Sequence, residues 1–333
     1  MSLGIVAGTG NPALAYAVAG RLGSALVPMQ PERFPDGELR PQLGPVRGVD
    51  LYVIQPTGPP VHDTLVELLL LLDACRRAGA ERITAVVPYF GYARQDRRSG
   101  ARQPIGARVV AEAIASTGAD RVVTVDPHTP SLEAMFGLPV EMLTAVPALV
   151  AAIRPQIAED TVVVAPDLGA TRLARHFASL VGAPLGVVSK HRLDPATVRA
   201  TDVVGDVRGH PVLITDDMIS TGATIEAAAA ALRANGATGQ PVVTATHGLL
   251  VGSAVLRLAR CHLGGLVVTD SLADTSAPTA SPQAASEPAR AHGPAPAPAE
   301  ALAVQRVSIA GLIAQAVDRL HRFEPLEDLL LHS

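Results

Sequence analysis

The run Thr215-Asp216-Asp217-Met218-Ile219-Ser220-Thr221-Gly222-Ala223-Thr224 sets two neighbouring carboxylates ahead of a short turn of hydroxyls and glycine. It follows the apolar stretch Val212-Leu213-Ile214 and leads into a helical pattern beginning near Ile225. Backbone N–H groups and the dipole at such a helix start form an anion site, to which Ser220, Thr221 and Thr224 add hydroxyl donors. A phosphate monoester fits the turn, while the acids accept bonds from vicinal sugar hydroxyls or orient Mg²⁺-bound water. An ordinary helix N-cap is the simpler reading, but capping has no need of the two preceding acids.

Two more strand-like runs end in groups of the same kind. Residues 122–125 precede Asp126-Pro127-His128-Thr129, and residues 161–164 precede Ala165-Pro166-Asp167-Leu168-Gly169-Ala170. Read alone, His128 is more often a satisfied loop histidine, and Asp167 is equally the closure of a turn with Gly169. Lys190 is the single lysine among many arginines; it marks either a catalytic ammonium that arginine does not replace or a chance survivor. Arg94, Asp96 and Arg97 also read as a solvated charge run, Asp36-Gly37 as a turn and Phe34 as a small core residue. Gly8-Thr9-Gly10-Asn11-Pro12-Ala13 comes close to a dinucleotide fingerprint, although proline at the helix start and the lack of a clear downstream acid count against it.

These groups need elements to hold them. Ile83-Thr84-Ala85-Val86-Val87, Val242-Val243-Thr244 and Leu266-Val267-Val268 join the three runs above as expected buried strands. Between the strands, Leu65, Leu68, Leu69 and Leu72 follow helical spacing to an end near Gly79, and residues 105–117, 171–181 and 223–235 also read as helices. Such alternation predicts βαβ units and mainly parallel sheets flanked by helices, here in two successive α/β domains, 1–145 and 146–333. Ligands then collect outside the carboxyl ends of the strands, where all three polar runs fall. Residues 273–300, rich in Ala, Pro and Ser, read as a disordered or extended loop, after which a helical pattern returns at Val307, Ile309, Leu312, Ile313 and Val317.

Composition narrows the partners. A net charge of −4 and the absence of tryptophan argue against a nucleic-acid partner, which needs a basic surface or stacking platforms. The leucine run at residues 68–72 is too short to cross a bilayer, and residues 1–10 lack the pattern of a secretory signal. Cys75 and Cys261 lack metal-ligand spacing and read as reduced thiols, so a cytoplasmic protein with no membrane contact is expected.

The run 215–224 resembles the phosphoribosyl diphosphate-binding motif of type I phosphoribosyltransferases and of ribose-phosphate diphosphokinases. Pro88-Tyr89-Phe90-Gly91-Tyr92-Ala93-Arg94-Gln95-Asp96-Arg97 is similar to a hallmark of the diphosphokinases alone. Phe34-Pro35-Asp36-Gly37-Glu38, Asp63-Thr64-Leu65-Val66-Glu67-Leu68-Leu69, Thr246-His247-Gly248-Leu249 and Val307-Ser308-Ile309-Ala310 resemble that family too, in its order along the chain. The resemblance implies two tandem type I phosphoribosyltransferase-like domains in a homo-oligomer, with an ATP site between subunits and Mg²⁺ as cofactor. The activity it implies is transfer of a diphosphoryl group from Mg-ATP to ribose 5-phosphate. Phe34, Asp36, Gly37 and Glu38, with Arg94 and Gln95, would contact ATP; His128 and Asp167 would serve the metal. Lys190 and Arg192 match a catalytic basic pair on a mobile loop, and Asp216, Asp217, Ser220, Thr221, Gly222, Ala223 and Thr224 match the ribose 5-phosphate site. Gly169-Ala170 departs from the family's two glycines, Ser220 from its common aspartate and Arg108 from its lysine. Rival expectations are a phosphoribosyltransferase, a non-catalytic regulatory paralogue and a synthase dedicated to one pathway.

Overall fold

The computed structural model describes residues 1–98, 100–194, 197–274 and 302–331. Strand β1 (Ser2–Ala7) leads into helix α1 (Pro12–Leu22). Pro12 sits in the first turn, where its missing N–H costs nothing; Asn11 caps the helix by accepting from the Leu14 N–H at 3.3 Å. A hairpin of β2 (Met29–Arg33) and β3 (Leu39–Leu43) forms a separate two-stranded sheet. Strands β4 (Val49–Ile54), β5 (Arg82–Val87), β6 (Arg121–Val125) and β7 (Val140–Leu143) join β1 in a parallel sheet of order β1-β4-β5-β6-β7.

Alternation along β4 divides the core. Leu51 and Val53 pack with Leu68 and Leu72 of α2 (Val61–Arg77) and Val110 and Ile114 of α3 (Gly106–Ser116). Tyr52 and Ile54 face the other way, onto Leu14 and Val18 of α1. Both faces of the sheet are thus covered, which is why its strands are almost wholly apolar.

Helix α4 (Val146–Ile153) precedes the second sheet, whose order is β10-β9-β8-β11-β12-β13-β14. Its strands are β8 (Val162–Ala165), β9 (Leu185–Asp194), β10 (Thr197–Val204), β11 (Val212–Ile219), β12 (Val242–Gly248), β13 (Gly265–Thr269) and β14 (Val304–Val307). All neighbours are parallel except β9 and β10, an antiparallel pair at the edge. Leu149 and Ile153 of α4 and Phe177 of α5 (Thr171–Val181) pack on one face. Ile225 and Leu232 of α6 (Ala223–Ala234) and Leu258 of α7 (Ala254–Ala259) pack on the other.

The last helix, α8 (Ala310–His321), follows β14 but returns to the first sheet, where Ile313 and Val317 join Ile5, Tyr52 and α1 in one core. A segment read from the sequence as part of 146–333 therefore helps to close the N-terminal core. Two helix-covered, mainly parallel sheets are the α/β organisation that the resemblance implied. Apart from Ala273 and Asp274, the stretch expected as a loop at 273–300 lies outside the described residues.

Candidate active site at the seam of the sheets

The carboxyl ends of β6, β8 and β11 converge on a cavity of about 300 Å³. Asp216, Asp217 and every residue from Ser220 to Thr224 line it, opposite Arg94 and His128 from the first half of the chain. Asp167, in the turn after β8, completes the wall. Strand β11 runs on to Ile219, so the two acids lie within the strand and not in a loop after Ile214.

The turn from β11 into α6 is held from outside. Ile219 and Ser220 carbonyls accept from the N–H groups of Leu250 and Val251, each at 3.0 Å. Gly222 takes a φ of 77°, and a Cβ there would lie 3.1 Å from Leu258 Cγ, so conformation and space both call for glycine. Gly222 is also the N-cap of α6, with no side-chain hydrogen bond. Neither Ser220 nor Thr221 spends its hydroxyl on capping, which leaves the simpler reading of this turn unsupported and first-turn donors open to an anion.

His128 Nδ1 stands 2.7 Å from Asp217 Oδ2. A carboxylate accepts, so Nδ1 donates and Nε2 is left for a ligand. That hydrogen bond is the main reason the His128 pKa is raised, against the opposing effect of burial. Burial pushes the Asp217 carboxyl up, but the bond and charge of His128 outweigh it and the pKa ends below the usual value. Burial, joined by the Asp217 charge, holds Asp216 well above it. The pair is thus split into one readily ionised acid and one that keeps its proton longer.

Asp167 Oδ1 accepts from the N–H groups of Gly169 at 3.0 Å and Ala170 at 3.3 Å, so this acid closes its turn as well as lining the cavity. Arg94 has no ion-pair partner among the described residues, whereas Asp96, its side chain only 9% exposed, pairs with Arg97 at 2.6 Å. Gln95 does not line the cavity; its side chain lies over Gly106 at the start of α3. Phe34, Asp36, Gly37 and Glu38 also lie away from it, in the β2–β3 turn. There Asp36 Oδ1 accepts from the Glu38 N–H at 3.1 Å, and the Arg40 guanidinium lies 4.7 Å from the centre of the Phe34 ring. Lys190 and Arg192 lie on β9 in register with Ala200 and Val198 of β10, an antiparallel pair at the edge of the second sheet. The backbone bonds of β9 there are supplied by that antiparallel partner.

The glycine turn after β1 is closed to phosphate. Its Thr9 N–H already donates to Glu67 Oε1 at 2.9 Å and its Gly10 N–H to Gln55 Oε1 at 2.8 Å. Among the cavity residues to which the sequence gave no role are Asp126, Arg172 and Leu331. Asp126 adjoins His128 and Arg172 follows the Asp167 turn, so adjacency to a candidate was a usable signal; for Leu331 there was none. Both cysteines are free and buried, and burial pushes the Cys75 thiol up to about 12.

Among the described residues, no group of three His, Cys, Asp or Glu side chains is placed to hold a metal ion. Mg²⁺ is commonly held by one or two carboxylates together with substrate phosphates, so a cavity bearing Asp167 and His128 suits an ion that arrives on a polyphosphate. No helix among the described residues is long and apolar enough to cross a membrane.

Comparison with known proteins accounts for this arrangement. A family model described as the N-terminal domain of ribose phosphate pyrophosphokinase matches residues 3–118, and one for the phosphoribosyl transferase domain matches residues 139–282. A ribose-phosphate pyrophosphokinase from Bradyrhizobium diazoefficiens is 42% identical over 278 residues, covering 83% of this chain and 87% of its own. One from Aquifex aeolicus is 43% identical over 270 residues, covering 80% and 86%. The crystal structure of phosphoribosylpyrophosphate synthetase from Mycobacterium smegmatis superposes with a TM-score of 0.84 at 35% identity, covering 97% of this chain and all of that one. The chain belongs to the ribose-phosphate pyrophosphokinase family of enzymes.

Proposed function

We propose that this enzyme transfers the diphosphoryl group of Mg-ATP to O1 of ribose 5-phosphate, giving 5-phosphoribosyl diphosphate and AMP. The observation that carries this reading is the single cavity joining the 216–224 acids and turn to Arg94, His128 and Asp167. The turn at 220–224 holds the 5-phosphate with backbone and hydroxyl donors, while Asp216 and Asp217 take the ribose hydroxyls. The anomeric oxygen then attacks the β-phosphorus of ATP, and the bond from that phosphorus to the α,β-bridging oxygen breaks, releasing AMP.

Such transfers depend on alignment and charge neutralisation more than on covalent help from the protein. Arg94 faces the polyphosphate from the first half of the chain, and Gln95, which lies over Gly106 and outside the cavity, is assigned to the part of the nucleotide that extends beyond it. Lys190 and Arg192, carried by the β9–β10 hairpin, stabilise the charge that grows on the transferring group. Asp167 and His128 would hold Mg²⁺, which would neutralise phosphate charge.

Phe34, Asp36, Gly37 and Glu38 lie on a hairpin away from this chain's cavity. That position supports their serving the ATP site of a neighbouring subunit in a homo-oligomer. We assign 1–145, closed by α8, to an N-terminal phosphoribosyltransferase-like domain that supplies ATP and oligomer contacts, and the rest of 146–333 to the domain with the sugar-phosphate site. A cytoplasmic location, with no nucleic-acid or membrane partner, accords with the composition. The test is incubation of the purified chain with ribose 5-phosphate, Mg²⁺ and ATP. AMP with 5-phosphoribosyl diphosphate is expected; ADP would indicate an ordinary kinase, and no turnover would favour a regulatory paralogue.

A further inference from the structure

One side chain of the second sheet grips the roots of both loops that the first sheet sends to the cavity. His247, on β12, stands in register with Met218 of β11, the residue after Asp217, and is 1% exposed. Its Nε2 lies 3.0 Å from the Val125 carbonyl oxygen and 3.3 Å from that of Asp126. Carbonyls only accept, so this network assigns the ring hydrogen to Nε2; Nδ1 then accepts from Ser271 Oγ at 2.9 Å. The neighbouring Thr246 donates its hydroxyl to Asp126 Oδ2 at 2.7 Å, and the Ala145 N–H donates to the same oxygen at 2.9 Å. Tyr89 meets the imidazole edge-on, with ring centroids 5.0 Å apart.

Each contact sits at the base of something that faces the substrate. Val125 and Asp126 lead directly to His128, and Asp126 holds a φ of 36°, a conformation that persists in a non-glycine residue only where its surroundings impose it. Tyr89 leads along its loop to Arg94. The strand bearing His247 pairs with the strand bearing Asp216 and Asp217.

We propose that His247 is a positioning residue for the transfer, clamping the Arg94 and His128 loops of the first sheet to the sugar-phosphate strand of the second. Two reactants carried by separate sheets gain from proximity only while the sheets keep their spacing, and a misplacement of about 1 Å costs roughly 10²-fold in rate. This inference rests on the activity assigned above. It adds a residue that touches no substrate and sets the register between the two halves of the site.

The experiment compares the native chain with His247→Leu, His247→Gln and Ser271→Ala. Three quantities are measured: turnover to AMP, the ATP concentration at half-maximal rate, and ribose 5-phosphate binding alone by calorimetry. His247→Leu is expected to lose roughly 10²-fold in turnover while binding ribose 5-phosphate as before, because the 216–224 segment is built without the imidazole. His247→Gln restores an N–H near the Nε2 position and is expected to recover part of the loss. Ser271→Ala, which removes the Nδ1 partner, is expected to lose several-fold, consistent with roughly 1 kcal/mol for a neutral hydrogen bond. Native turnover in His247→Leu overturns the proposal, as does a parallel, equal loss of turnover and ribose 5-phosphate binding, the mark of a merely structural role. Should His247→Leu fail to fold, the other two variants decide in the same way: selective loss of turnover supports the clamp, and unchanged turnover in both refutes it. A native chain that makes no AMP refutes the assigned activity and the clamp's purpose with it; an active native chain with unaffected variants refutes the clamp alone.

Discussion

At the scale of single residues, the chemistry divides between groups that hold the sugar phosphate and groups that meet the charge in flight. Lys190→Ala tests the second set. Loss of one donor to developing negative charge costs roughly 10²–10³ in turnover, and at least that is expected here in AMP release under saturating ATP and ribose 5-phosphate. Turnover equal to that of the native chain would strip Lys190 of this role. Asp216→Asn tests the first set. The carboxyl of Asp216, held above its ordinary pKa by burial and by Asp217, is assigned to ribose hydroxyls. The substitution is expected to raise the ribose 5-phosphate concentration at half-maximal rate by roughly tenfold, the scale of one hydrogen bond to a charged group, with less effect on turnover. An unchanged requirement would send the assignment elsewhere.

At the scale of elements, legibility in the sequence tracked burial. Residues 83–87, 242–244 and 266–268, expected as strands from their apolar runs, lie inside β5, β12 and β13, and the helices expected at 105–117, 171–181 and 223–235 lie within a residue of α3, α5 and α6. Strands β2 and β3 were not legible because their short, proline-containing sequences Met-Gln-Pro-Glu-Arg and Leu-Arg-Pro-Gln-Leu bury only part of one face, through Met29 and Leu43. The β9–β10 pairing was not legible for a related reason: most of β9 lies beyond its pairing with β8 and is stabilised by backbone bonds to β10, which composition does not announce. Among the site groups, the 216–224 run was legible because acids, hydroxyls and glycine follow one another directly. The His128–Asp217 contact was not, since 89 positions separate the partners and only the meeting of two sheets joins them. The turn itself yields a prediction. Gly222→Ala keeps every polar group of the cradle but forces a side chain into the left-handed region, at a cost of roughly 1–2 kcal/mol. Denaturant unfolding is expected to show that loss, together with weaker ribose 5-phosphate binding as the turn shifts away from Leu258. Native stability and native binding would mean that the turn tolerates a Cβ and that its glycine is incidental.

At the scale of the whole molecule, the chain's far ends are tied by a charge cluster at the amino end of the first sheet, opposite the strand ends that carry the site. Asp50 is wholly buried and receives the Arg82 Nε–H at 2.7 Å, while His321 at the end of α8 approaches it at 2.7 Å. Arg82 also donates to the Leu320 carbonyl at 3.1 Å, and its guanidinium lies 4.7 Å from the centre of the Phe323 ring. Helix α8 is thus fastened to β4 and β5 by one guanidinium, in addition to the apolar contacts of Ile313 and Val317. Removing one partner of a buried ion pair costs roughly 3–5 kcal/mol when the remaining charge is left alone and cannot regain water; with His321 still beside Asp50, Arg82→Leu is expected to destabilise by less than that. The double variant Arg82→Leu with Asp50→Leu removes both charges and is expected to recover most of that loss, since well-packed apolar residues in place of a buried pair are often neutral or better. Denaturant unfolding of the three proteins decides the matter. If the double variant is no more stable than the single one, the cost lies in lost packing against Leu320 and Phe323 and not in the stranded carboxylate. Because this latch sits at the amino end of the first sheet and the cavity at its carboxyl end, turnover per folded molecule well below the unfolding transition is expected to stay native. A drop there would mean that the position of α8 is transmitted along β4 and β5 to the loops that face the substrate.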